Sequence, residues 1–99
     1  MERIKKLADE MMEEVCGAKE YAERAIMYRV NGESNWSNRF REMANDELKH
    51  AGYLHELIVM DVDKLATAYT PPVEMMEKWD ADHRKYIEKA AWVRQMLDM

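Results

Sequence analysis

The stretch Trp36–Asp61, WSNRFREMANDELKHAGYLHELIVMD, decides how this chain is read. Alternating steps of three and four pick out Trp36, Phe40, Met43, Glu47, His50, Leu54, Leu57 and Asp61. Positions so spaced share one face of a helix. Glu47 and His50 stand in mid-stripe with apolar residues on either side. Their spacing places one side chain a turn above the other. A carboxylate and an imidazole arranged this way, both aimed at a core, are a ligand pair for a metal ion.

Working outward, the helix that carries this stripe is predicted over about residues 35–68. Before it, Ile4, Leu7, Met11, Glu14, Ala18, Tyr21, Ala25 and Tyr28 repeat the same alternation and predict a helix over about 2–30. Gly17 weakens that helix by roughly 1 kcal/mol relative to alanine. Asn31-Gly32 ends it, because these residues take the left-handed conformation found just past a helix end. Ser34 or Asn35 is the expected cap of the second helix. The short connection predicts an antiparallel helical hairpin. Tyr69-Thr70-Pro71-Pro72 stops the second helix, since proline has no N–H to donate and disfavours helix in the residue before it. Thr70 is the expected cap of a third helix over about 72–97. Two stripes compete there: Val73, Met76, Asp80, His83, Ile87, Ala90, Arg94, Leu97, and the more apolar Trp79, His83, Tyr86, Ala90, Val93, Leu97. The expectation is an all-α single domain of three helices spanning 1–99.

Composition narrows the function. Twenty acidic residues against 15 basic ones give a net charge of −5, which argues against nucleic acid. Three glycines, two prolines and ten methionines suit long helices. The lone cysteine, Cys16, forms no internal disulfide and excludes a four-cysteine metal site. No apolar run long enough for a membrane span is present. No apolar signal core follows the charged N-terminus, so a cytoplasmic location is the default. Asn35-Trp36-Ser37 matches a glycosylation sequon by chance.

Helical rise decides which residues face each other. Counted from a turn centred near Gly32-Glu33 at about 1.5 Å per residue, Glu14 is level with the Glu47–His50 pair and lies on the inward stripe. Glu20 is at the wrong level and points away; Glu13 and Glu23 also point away. Glu14, Glu47 and His50 are therefore the candidate cluster of the hairpin.

A Glu on one helix followed by Glu-x-x-His on the next resembles the ferritin-like superfamily. Tyr21, seven residues after Glu14, sits as it does in rubrerythrin-like first helices. The resemblance covers roughly residues 7–60. The chain departs from the full-length pattern in having one such hairpin, Asp80-x-x-His83 in its third helix, and no rubredoxin-type domain. It is closer to the short, encapsulated-ferritin type, in which two copies of one hairpin meet. The resemblance implies a homodimer or higher homo-oligomer and iron as cofactor, with manganese or zinc as substitutes. It also implies Glu47 as bridging ligand, Glu14 and His50 as terminal ligands, and iron oxidation or peroxide handling as the activity.

A metal-free reading stands beside it: a helical self-associating scaffold in which Glu47 and His50 form a hydrogen bond or a salt bridge across an interface, or Arg94 neutralises the Glu47 carboxylate. Asp61, Asp80 and His83 fall near one level close to the second turn. They form either a second metal site or a hydrogen-bonded cluster fixing that turn. His55, off the stripe, is expected at the surface. The tryptophans read as packing or interface residues, and the methionines as filler. Met11, Tyr21, Phe40, Met43 and Leu54 are expected at the centre of the self-association interface.

Overall fold

Three long apolar periodicities, with little glycine or proline to interrupt them, leave the backbone one way to satisfy its own hydrogen bonds. In a computed structural model, which describes residues 2–99, α1 runs Glu2–Val30, α2 Ser34–Ala68 and α3 Val73–Leu97. The chain is all-α with three helices, and no strand occurs among the described residues.

The first turn has the expected chemistry. Gly32 takes φ +80°, and the Glu33 N–H donates to the Tyr28 carbonyl at 2.8 Å. These features mark a left-handed helix end. The expected N-caps are not used. Glu33 and Pro72 precede α2 and α3, and neither makes a side-chain cap bond. Ser37, buried one turn into α2, donates instead to the Ala25 carbonyl at 2.6 Å.

Contacts descend α1 as they climb α2. Ser37 meets Ala25 near the turn, Glu47 lies beside Gly17 midway, and Asp61 pairs with Arg3 at 2.9 Å at the far end. The third helix packs chiefly on α1 and touches α2 least. Its last turn is fastened near the first connection, where Arg29 donates to the Met99 carbonyl and Arg41 to the Leu97 carbonyl. The result is a rod of 56 × 18 × 17 Å.

The buried seams differ from the expected stripes. On α2 the buried residues are Ser37, Ala44, Ala51, Ile58 and Val62, while Trp36 and Met43 are exposed. On α1 they are Ile4, Ala8, Met11, Val15, Ala18, Ala22 and Ala25. Small residues explain the shift. Ala18 and Ala22 pack with Ala44 in one cluster, so the helices approach closely there and the larger side chains move to the flanks. Glu14, Tyr21, Phe40, Glu47 and Leu54 therefore occupy the lip of the α1–α2 groove, half-buried. Met11 is fully buried and unavailable to a second chain. On α3 the Trp79, Tyr86, Ala90, Val93, Leu97 stripe is buried, and Val73, Ile87 and Arg94 are exposed. Met11, Val15, Ile58 and Val93 are the large side chains fully removed from water. Each such burial contributes about 1.5–3 kcal/mol.

Candidate metal centre

The lip of the α1–α2 groove brings Glu14, Glu47 and His50 together. One donor atom from each lies within 4.8 Å of the other two. His50 Nδ1 is 3.7 Å from Glu14 Oε2 and 4.0 Å from Glu47 Oε1. These separations suit an ion pair but are too long for a hydrogen bond. The Glu14 Oε2 atom is buried and accepts no hydrogen bond. A buried carboxylate oxygen without a donor is costly unless a cation takes the donor's place.

The packing explains why these side chains meet. Val15 and Ala18 turn into the core and leave Glu14 on the flank that faces α2. Ala44 and Ala51 do the same for Glu47, with His50 one turn further on and open to solvent. The two acid side chains keep 31% and 29% of their surface and the imidazole 54%. A ligand therefore has a protected carboxylate floor and an open imidazole side.

Electrostatics mark the same place. The Glu47 carboxyl is held above its ordinary 4.5, first because a proton on it would be donated to the neighbouring Glu14 carboxylate, then by burial and by the Glu14 charge. His50 pulls in the other direction. Two carboxylates this close repel when both are ionised, and a divalent cation between them reverses that repulsion. Two carboxylates and an imidazole are a donor set suited to iron, manganese or zinc. The residues present fit such an ion, and one chain would supply three side-chain donors to it.

Gly17 is the member of this neighbourhood that the periodicity did not mark. A Cβ there would stand 3.1 Å from Glu47 Oε2 and 3.7 Å from its Cδ. Its signal in the sequence is weak: a glycine in mid-helix, three residues after Glu14, where glycine otherwise only weakens the helix.

The other expected residues are placed elsewhere. Glu20 is exposed and outside the group. Arg94 is exposed and pairs with neither Glu47 nor Glu14, because α3 packs on α1 through Val93, Met96 and Leu97 and turns Arg94 outward. Asp61, Asp80 and His83 form no ligand group among the described residues. Asp61 is taken by Arg3, Asp80 is exposed, and His83 stacks on His55 with ring centroids 4.9 Å apart and planes within 4°. His55, expected at the surface, is half-buried instead, because it faces α3. Its ring also stacks on Tyr86 at 4.9 Å and on Trp79 at 6.2 Å. Only Trp79 of the three tryptophans is a buried anchor; Trp36 and Trp92 are exposed. Tyr21 lies tilted against Phe40, with ring centroids 6.1 Å apart and planes at 31°; Phe40 stacks on Tyr28, and Arg24 lies over the Tyr21 and Phe40 rings. No described helix is long and apolar enough to cross a membrane.

Comparison with known proteins adds no neighbour to this picture: no family model, curated protein or solved structure matches the chain.

Proposed function

We propose that this protein is a small ferritin-like, non-haem iron protein whose metal ligands are Glu14, Glu47 and His50. The observation that carries the reading is the convergence of these three donors within 4.8 Å, one of them a buried carboxylate oxygen without a hydrogen-bond partner. In this reading α1 and α2 are an antiparallel half-bundle. A second copy related by a twofold axis completes the site, giving four carboxylates and two imidazoles around two metal ions. The docking face is the groove lip. Trp36, Met43 and His50 are spaced by heptads along it, and both apolar members are exposed.

The chain's own residues have separable tasks. Glu14 and Glu47 offer negative charge from a protected floor. His50, on the open side, is a neutral donor that keeps the total ligand charge low. Val15, Ala18, Ala44 and Ala51 exclude water behind them. Iron held by such ligands would supply ferrous–ferric redox chemistry toward dioxygen or peroxide, and the reading is iron oxidation or peroxide handling in the cytoplasm.

A metal-free self-associating scaffold is the second reading, and one observation favours it. The His50 ion pairs at 3.7 and 4.0 Å give the acids a cationic partner whenever the imidazole is protonated. The two readings separate on metal content and assembly together. Protein purified without chelators should carry iron, manganese or zinc at one ion per chain and sediment as a dimer or larger at micromolar concentration. A stable, metal-free monomer that takes up no added ion contradicts the proposal.

A further inference from the structure

Gly17 is the only glycine of α1, and it lies at the point where Glu47 crosses the groove onto the α1 backbone. Glu47 Oε2 approaches to 3.1 Å of where a Cβ would stand, closer than a carbon and a carboxylate oxygen tolerate in ordinary contact. Gly52, the other mid-helix glycine, has no such neighbour; a Cβ there would meet only the Tyr86 hydroxyl, at 3.9 Å. The two helical glycines thus differ in what they leave room for. One leaves room for a carboxylate of the candidate metal centre.

Resting on the metal reading above, we infer that Gly17 is a positioning residue: its missing side chain seats the Glu47 carboxylate against α1 and beside Glu14, where both can hold one ion. The displaced atom in a Gly17→Ala chain would be the tip of a flexible side chain, so the fold accommodates the change. The carboxylate itself gives way, by a few tenths of an ångström or by swinging outward. Metal–ligand distances are held to about ±0.2 Å, so a shift of that size degrades the site while sparing the helix. An alanine also favours helix over glycine. It further relieves the crowding of two carboxylates in the metal-free chain. Metal affinity and metal-free stability should therefore move in opposite directions, a signature that general packing damage does not produce.

The experiment is anaerobic titration of full-length wild type, Gly17→Ala and Gly52→Ala with Fe(II) by calorimetry, alongside thermal melts of the metal-free chains. Gly17→Ala should weaken Fe(II) binding by about tenfold or more, in the range found for residues that orient metal ligands. Its metal-free Tm should equal or exceed that of wild type, and Gly52→Ala should bind as wild type does. In a Glu47→Ala background, Gly17→Ala should change the residual affinity no further, because it acts through Glu47. Wild-type affinity in Gly17→Ala overturns the inference, as does a loss of affinity accompanied by a fall in metal-free Tm. Absence of Fe(II) binding by the wild type overturns the metal reading itself, and the inference with it.

Discussion

Two polar clusters are sandwiched between helices of this protein, and they are built on opposite rules. Midway along α1 and α2, Glu14, Glu47 and His50 crowd negative charge onto a half-open lip. Between α2 and α3, His55 and His83 stack face to face, with Trp79 and Tyr86 around them. His55 Nε2 is buried there without a partner. The first cluster, on the reading proposed above, would gain from a cation. The second is damaged by one, even when the cation is a proton. A histidine on a helix face takes its role from its neighbours: beside two carboxylates it is placed as a ligand would be, and among aromatic rings it is packing.

Truncating the aromatic cluster should have the largest effect. Trp79 is buried on α3 and stacks on both histidines. Trp79→Ala should cost about 3–5 kcal/mol, as measured by denaturant unfolding. It should leave Fe(II) affinity per folded chain unchanged. A parallel loss of affinity would show that the two clusters are one unit.

Acid should separate the clusters next. Burial, and then His83, hold the His55 imidazole below its ordinary 6.5, with Glu56 opposing them in part. A base with a lowered folded pKa takes up its proton more readily when unfolded, so stability falls as pH drops below about 6.5. Glu47 responds with the other sign. An acid whose folded pKa is raised keeps its proton better when folded, so its contribution is lost as pH climbs above about 4.5. Melts of the metal-free chain should therefore show Tm declining between about pH 7 and pH 5, with His55→Phe flattening the decline. Phenylalanine keeps the stack and removes the unpartnered nitrogen, so this variant should be at least as stable as wild type near neutrality. An unchanged acid limb in His55→Phe would remove the aromatic cluster as its source.

Asp61 gives the smallest effect. It pairs with Arg3, whose side chain is 65% exposed while that of Asp61 is only 15% exposed; water screens the pair from the Arg3 side, and a pair so screened is worth about 1 kcal/mol or less. Asp61→Asn should lower stability by no more than that and leave metal uptake intact. Lost uptake would restore Asp61 to the ligands and break the contrast between the clusters.

The helices and the donor trio were legible because both rest on simple periodicity. Glu14, Glu47 and His50 fall on long alternating patterns, and rise per residue puts them at one level. The burial register was not legible by the same means. The alternating stripe took Trp36 and Met43 inward, whereas the buried positions there are Ser37, Ala44 and Ala51, small residues that let backbones come together. His55 was missed because it belongs to the α2–α3 contact, and a hairpin-centred reading gives that side of α2 no partner. Arg94 was misplaced for a related reason: level along the rod was known, but rotation about α3 was not. Gly17 escaped because its role lies in the absence of an atom, visible only once Glu47 is placed across from it.

The central claim is that Glu14, Glu47 and His50 hold a metal ion, and the most direct test is the metal dependence of Tm in wild type, Glu47→Ala and Glu20→Ala. An ion that binds only the folded chain raises stability by about 2.7 kcal/mol at a hundredfold excess over Kd. For a domain of this size that corresponds to roughly 10 °C or more. Fe(II) under anaerobic conditions should raise the wild-type Tm by that amount and leave Glu47→Ala unmoved. Glu20, exposed and outside the group, should be dispensable, so Glu20→Ala should keep the full rise. No rise in the wild type, or an equal loss in both variants, contradicts the account.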